Sequence, residues 1–102
     1  MAAFERQESR AEDLQRIASG VAALVNPYIR KPLVISYVKM TEEALDTFSD
    51  WDKQRFGILR SEEYFIIRRC NGDDELLYFV DITADSLFTA MNELTDKIAK
   101  KF

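Results

Sequence analysis

Residues 64–82 read YFIIRRCNGDDELLYFVDI. Two runs of aromatic and aliphatic residues lie on either side of the dipeptide Asn71-Gly72. A two-residue turn of type I′ requires a positive φ at both central positions, which Asn and Gly tolerate best. The sequence therefore predicts a β-hairpin with Asn71 and Gly72 at its tip.

The charges near this turn predict how the two strands are aligned. With a two-residue loop, Arg68 and Arg69 each face a carboxylate on the other strand, and opposite charges across an antiparallel pair are favourable. The same register places Phe65 opposite Tyr78. A four-residue loop would place both arginines opposite leucines, so the two-residue loop is favoured.

An amphipathic helix is predicted over residues 4–26, before the hairpin. Apolar residues recur there at spacings of three and four, as on one face of a helix. The helix should end at Asn26, because the residue before a proline is disfavoured in the α-helical conformation. Residues 1–9 are expected to be a frayed extension. The apolar stripe, which also fits a short coiled-coil seam, consists of Leu14, Ile17, Val21, Leu24 and Tyr28.

The segment between this helix and the hairpin is predicted to contain two strands and one short helix. Residues 33–40 read as a strand with apolar residues on both faces, which is typical of a strand covered on both sides. Thr41 is a suitable N-cap for a helix that runs to about residue 50. Residues 54–60 read as a further short strand, in which Gly57 indicates a bend.

A final helix is predicted over residues 84–101, capped by Thr83 or Asp85. The predicted order of elements is α-β-α-β-β-β-α. Consecutive antiparallel strands between terminal helices indicate an α+β fold. We therefore expect a single domain spanning residues 1–102, with N- and C-terminal helices packed on a small antiparallel sheet of three to four strands.

The overall composition describes a small acidic globular protein. The 102 residues are 47% hydrophobic and 31% charged, with a net charge of −4. The strongly basic character of most nucleic-acid-binding domains is absent, so direct binding of nucleic acid is not expected. A single cysteine favours a reducing compartment. With no apolar run of the kind found in signal peptides or membrane helices, we expect a cytoplasmic protein without a membrane partner.

The sequence offers few residues for catalysis. Histidine is absent, which removes the commonest general base and the commonest zinc ligand. Cys70 is the one thiol, and nearby acids would offset any activation by Arg68 and Arg69. The acids at positions 73–75 do not have the spacing of a calcium-binding loop. We therefore expect no enzymatic activity, no cofactor and no metal site; a small enzyme that uses carboxylates or Cys70 is the weakest hypothesis.

Acidic residues are concentrated in the middle of the chain. Such a group could engage a basic protein or imitate the phosphates of nucleic acid, although an ordinary solvated helix face is the favoured explanation. The functional hypothesis is a small acidic inhibitor, of the antirestriction or CRISPR-inhibitor type, that occupies a basic nucleic-acid-binding groove. The candidate acidic face consists of Glu42, Glu43, Asp46, Asp50 and Asp52.

The leading hypothesis is a non-enzymatic protein–protein interaction module. Both faces of the predicted hairpin are apolar. Two or three helices can cover one face of the sheet more readily than both faces. We therefore expect the second face to be partly exposed and to form an interface, either with a second copy in a two-fold dimer or with another protein. The candidate interface consists of Tyr64, Ile66, Leu77 and Phe79.

Overall fold

The computed structural model of the chain describes residues 2–60, 62–70, 74–83 and 85–101, and the side chains of residues 2–8, 70 and 74 lie outside this description. The elements in chain order are α1 (Ala2–Val25), a 3-10 turn (Asn26–Tyr28), β1 (Leu33–Lys39), α2 (Glu42–Asp46), α3 (Asp50–Phe56), β2 (Glu63–Cys70), β3 (Asp74–Asp81) and α4 (Leu87–Lys101). The three strands form one antiparallel sheet in the order β1-β2-β3. The predicted α+β class is confirmed, with β2 in the centre of the sheet and β1 and β3 at its edges.

The hairpin between β2 and β3 forms, but with a different register at its turn. Arg69 faces Glu75 rather than Asp74, and Cys70 faces Asp74. The predicted two-residue turn is therefore wrong, because residues 71–73 separate the paired ends of the strands. Those residues themselves lie outside the described part of the chain. The expectation that both arginines meet a carboxylate across the ladder is confirmed for Arg69, which faces Glu75, and wrong for Arg68, which faces Leu76.

A β-bulge in β3 shifts the register a second time. Tyr78 lies opposite Ile67, and Leu77 has no opposite residue on β2. The predicted pairing of Phe65 with Tyr78 is therefore wrong, since Phe65 faces Val80. The consecutive side chains Leu77 and Tyr78 both pack against the same core, which strict alternation along a strand does not allow. A bulge is the irregularity that permits it.

Helices α1 and α4 cover one face of the sheet and form the first core with it. The predicted stripe of α1 is correct at Leu14 and Val21, which are buried, but wrong at its end, where Leu24 is 69% and Tyr28 88% exposed. The first core comprises Leu14, Ala18, Val21, Ala22, Leu33, Ile35, Phe65, Ile67, Val80, Ile82, Ala90, Leu94 and Ile98. Because Leu14 and Val21 are buried against the sheet, the described side chains of α1 do not present the predicted coiled-coil seam.

The segment containing α2 and α3 covers the opposite face and forms a second core. Residues 54–60 were predicted to be a strand, which is wrong. Ser49 caps α3 by accepting a hydrogen bond from the Asp52 N–H at 3.1 Å, and Gly57 ends the helix with a φ of 63°. These two signals extend the helical region as far as Phe56. The buried members of the second core are Met40, Ile58, Tyr64, Ile66 and Phe79.

Helix α4 begins three residues later than predicted, at Leu87. Its N-cap is Ser86 rather than Thr83 or Asp85. The Ser86 hydroxyl accepts a hydrogen bond of 3.4 Å from the Thr89 N–H, and the Ser86 carbonyl accepts one of 3.0 Å from the Ala90 N–H. At the other end of the chain α1 begins at Ala2; whether residues 1–9 fray stays a prediction.

Candidate functional site

The outer edge of β3 presents backbone groups that no other strand occupies. The Ile82 N–H donates to the Glu63 carbonyl at 3.0 Å, which makes this a hydrogen-bonded pair. Because bonded residues alternate along an antiparallel strand, Val80 also bonds to β2, whereas Phe79 and Asp81 direct their N–H and C=O groups away from it. Within the described ranges β3 pairs only with β2.

The outer edge of β1, by contrast, is partly occupied, at Leu33 and Tyr37, by side chains of the preceding helix and turn. The Asn26 side chain donates to the Leu33 carbonyl at 3.1 Å and accepts from the Leu33 N–H at 2.8 Å. Oε1 of Gln15 accepts a hydrogen bond of 3.0 Å from the Tyr37 N–H. Such amide caps occupy the groups that an additional strand would use. The two edges of the sheet are therefore unequal.

An open cleft of about 470 Å³ follows the free edge of β3. Its base consists of consecutive strand residues, and its sides come from α3 and α4. The residues that line it are Arg55, Phe56, Tyr78, Phe79, Val80, Asp81, Thr83, Glu93, Asp96 and Lys97. The cleft therefore places an unpaired strand edge at the bottom of a channel between two helices.

Aromatic rings line both sides of this cleft. On the α3 side the rings of Phe56 and Phe79 lie 5.0 Å apart, and the Arg55 guanidinium lies 4.4 Å from the centre of the Phe56 ring. On the α4 side the Lys97 amine lies 5.7 Å from the centre of the Tyr78 ring. Arginine and lysine stems that lie over aromatic rings give the channel apolar walls with charged rims.

The residues of the predicted interface do not form an exposed surface. Tyr64, Ile66 and Phe79 are buried in the second core, and Leu77 packs against the first core on the opposite side of the sheet. The expectation that this face is partly exposed is therefore wrong. The physical reason is that α3 exists where a strand was predicted, so the middle segment supplies a second helix to cover the face.

The residues of the predicted acidic face lie on α2 and α3. Glu42, Glu43, Asp46 and Asp50 are exposed and Asp52 is half-buried. Two of these carboxylates have basic neighbours: Glu42 accepts a hydrogen bond from Arg60, and Oδ1 of Asp50 lies 3.7 Å from the Lys53 amine. Exposed pairs of this kind contribute little stability, but they reduce the negative charge that the surface presents.

A polar network outside the predicted sites joins α1 to the sheet. Oε2 of Glu63 accepts a hydrogen bond of 2.5 Å from the Tyr37 hydroxyl, and Oε1 accepts one of 3.0 Å from Arg10. Arg10 also donates to the Asp85 carbonyl at 3.1 Å. The network therefore connects α1, β1, β2 and the segment before α4. No sequence pattern predicted this network, because the residues that it joins are 26 to 75 positions apart along the chain.

Burial and hydrogen bonding shift the pKa values within this network. Burial by itself raises the pKa of Glu63, but the hydrogen bonds from Tyr37 and Arg10 outweigh it and hold that pKa below 4.5. Burial, followed by the hydrogen bond to Glu63, raises the pKa of Tyr37 well above 10.0. Both shifts favour a charged carboxylate beside a neutral phenol, which is the arrangement that holds the elements together.

Among the residues that the structure describes, no group of three or more Cys, Asp or Glu side chains is arranged to hold a metal ion. No helix in the described ranges is both long and apolar enough to cross a bilayer. No protein-family model, no curated protein and no solved structure matches this chain.

Proposed function

We propose that this chain is a non-enzymatic interaction module that binds an extended segment of another protein as a fourth strand beside β3. The observation that carries the proposal is the inequality of the two sheet edges. Side chains close the β1 edge at Leu33 and Tyr37, whereas Phe79 and Asp81 direct backbone groups into a channel. Addition of a strand to an open edge is a recurrent mode of peptide recognition.

The shape of the channel favours an isolated extended segment as its occupant. Helices α3 and α4 stand on either side of the β3 edge and contribute Phe56 and Lys97 to its walls. In a two-fold pairing of β3 with β3, the flanking helices of one copy would meet those of the other. A segment that brings no helices of its own avoids this conflict.

The composition of the channel limits the length and chemistry of that segment. The bulge at Leu77 interrupts the regular ladder, so regular pairing is confined to residues 78–81. Both walls carry charges of both signs: Arg55 and Asp81 lie on one side, and Lys97, Glu93 and Asp96 lie on the other. A short segment with apolar or uncharged side chains fits such walls better than a charged one, because it leaves neither sign of charge unpaired.

The test uses a proline at the open edge. Peptides selected by display against the full chain are measured by calorimetry with wild type, Asp81→Pro and Asp81→Ala. Proline removes an N–H that β2 does not use and is tolerated on edge strands. Alanine is the matched control, since it removes the carboxylate but keeps the N–H. We expect Asp81→Ala to bind the peptide like wild type. Asp81→Pro should bind it at least about tenfold more weakly, because the loss of one good hydrogen bond raises Kd by about that factor.

Hydrogen exchange supplies a second readout. If the peptide forms a strand, the amides of Phe79 and Asp81 should become protected on binding, whereas that of Val80, already bonded to β2, should change little. Equal binding by both Asp81 variants, or protection confined to other parts of the chain, would contradict the proposal.

Self-association stays a prediction of the same kind and has its own measurement. Light scattering coupled to size exclusion gives the mass of the chain in solution. A dimer that Asp81→Pro converts to a monomer would identify a second copy as the source of the added strand and overturn the argument from the flanking helices. The acidic-inhibitor hypothesis gains no support from the geometry, because Glu42 and Asp50 already have basic neighbours.

A further inference from the structure

A second cleft, of about 530 Å³, lies at the opposite end of α4 from Ser86. It forms where three parts of the chain meet: the turn and connector after α1, the last residues of β2 and the last turn of α4. Its lining residues are Tyr28, Ile29, Arg30, Lys31, Arg69 and Lys101. Four of these six side chains are cationic, although the chain as a whole carries a net charge of −4.

Three of these four cations have no ion-pair partner within the described ranges, and the fourth, Arg69, lies 4.0 Å from Glu75. The ion pairs among the described residues involve Arg69 or bases outside the cleft, and none of them includes Arg30, Lys31 or Lys101. Lys101 instead lies with its amine 4.8 Å from the centre of the Tyr78 ring. Four like charges around one cleft repel one another, so an anion that enters it is attracted by all of them.

Arg69 has hydrogen-bonding capacity that its neighbours do not use. Its Nε is buried and has no hydrogen-bond partner in the described part of the structure. Its Nη1 lies 4.0 Å from Oε2 of Glu75, which is too long for a hydrogen bond. The Arg69 side chain is 27% exposed, and a partly shielded guanidinium gains more from an anion than a fully solvated one does, because water competes less for its donors.

Tyr28 gives the cleft an apolar wall. Pro27 precedes it in the 3-10 turn, and 88% of its surface is exposed although the ring is large and aromatic. An exposed aromatic ring beside arginine and lysine can contact the planar part of a phosphorylated ligand while the bases hold its phosphoryl oxygens.

We propose that this cleft binds a small phosphorylated molecule with at least two phosphoryl charges. Arg30, Lys31, Arg69 and Lys101 contact the phosphoryl oxygens, and Tyr28 contacts the rest of the ligand. Two arginines and two lysines favour phosphoryl groups over a single carboxylate, because one carboxylate can neutralise only one of the four charges.

The test measures binding of pyrophosphate and of ATP to the full chain, by calorimetry and by amide NMR shifts at low salt. The variant Lys31→Glu reverses a charge at the cleft, and Lys39→Glu makes the same exposed change at the far end of β1. We expect Lys31→Glu to weaken pyrophosphate binding about tenfold or more, as for loss of a charge-assisted contact, and Lys39→Glu to change it less than about twofold. Tyr28→Ala should weaken binding of ATP more than that of pyrophosphate.

Three results would overturn the inference. The first is an absence of saturable pyrophosphate binding, and the second is an equal loss of affinity in Lys31→Glu and Lys39→Glu, which indicates only general attraction. The third is tighter binding of a short single-stranded DNA than of ATP, which indicates a nucleic-acid surface instead of a small-molecule site. Circular dichroism of each variant distinguishes loss of binding from loss of folding.

Discussion

The carboxylate of Glu63 accepts hydrogen bonds from two different elements, with the Tyr37 hydroxyl 2.5 Å from Oε2 and Arg10 3.0 Å from Oε1. Glu63 is the first residue of β2, Tyr37 belongs to β1, and Arg10 lies on α1. One side chain therefore fixes the distance between helix and sheet at the end of the sheet farthest from the hairpin turn.

Removal of the phenolic hydroxyl should destabilise the fold. Tyr37→Phe deletes one hydrogen bond to a charged, partly buried acceptor, so we expect the free energy of unfolding to fall by about 1–2 kcal/mol. Urea denaturation measures it. Tyr28→Phe is the matched control, because Tyr28 is 88% exposed and should change stability by less than about 0.5 kcal/mol. An equal change in the free energy of unfolding for the two variants would mean that the hydrogen bond from Tyr37 contributes nothing to stability.

Stability should fall in acid because of Glu63. Its pKa in the folded state lies below the ordinary value of 4.5, so its contribution is present above that pH and is lost as pH decreases through the folded-state pKa. Glu63→Gln should be less stable near neutrality and should depend less on pH below 4.5. Parallel pH profiles of the free energy of unfolding for the two proteins would contradict this assignment.

The two described glycines should respond to alanine in opposite directions. Gly57 ends α3 with a φ of 63°, a conformation that L-residues rarely adopt. Gly57→Ala should therefore destabilise the chain by about 1 kcal/mol. Gly20 lies within α1, and nothing lies within 4 Å of an added Cβ, so Gly20→Ala should stabilise it by up to about 1 kcal/mol. Thermal melts of both variants check the two signs together.

Loss of the Asn26 cap should open the edge of β1. Asn26→Ala removes two hydrogen bonds to the Leu33 backbone, and we expect a loss of about 1–3 kcal/mol with faster amide exchange at Leu33. Asn92→Ala is the control, since Asn92 is exposed on α4. An unchanged exchange rate at Leu33 would show that the side chain does not protect the edge.

Phe79 should be a major contributor to the second core. Its ring lies within 5.5 Å of those of Phe48, Phe56 and Tyr64, measured between centroids. Phe79→Ala should cost about 3–5 kcal/mol, as for other buried aromatic residues. Phe88→Ala, at a position that is 68% exposed, should cost less than about 0.5 kcal/mol. Comparable losses would contradict the burial of Phe79 in solution.

The elements with a strong local signal were predictable from sequence. The apolar spacing of α1 and its end before Pro27, the β1 run and the hairpin between β2 and β3 all depend on neighbouring residues. The register was not predictable to the residue, because the leucines at 76 and 77 followed by Tyr78 and Phe79 carry no alternation that excludes a bulge. Charge pairing at Arg68 and Arg69 did not predict the register correctly, because pairs of exposed charges contribute less free energy than core packing does.

The candidate sites were less predictable, because they depend on contacts between distant parts of the chain. The edge of β1 is partly occupied by Gln15, which lies 22 positions before Tyr37, and nothing local marks a glutamine as an edge cap. The basic residues at positions 30, 31, 69 and 101 lie in three separate parts of the sequence, and no local pattern groups them. Their convergence requires the tertiary fold that brings α4 beside the end of β2.

The unequal edges of the sheet also set its valence. A sheet with two open edges can recruit a strand on each side, so that identical chains add to one another without limit and form fibrils. Here the side-chain amides of Asn26 and Gln15 occupy backbone groups at Leu33 and Tyr37, whereas the β3 edge offers the backbone groups of Phe79 and Asp81 to an added strand. The same caps that bond to β1 therefore make repeated strand-by-strand addition less favourable than it would be with two uncapped edges.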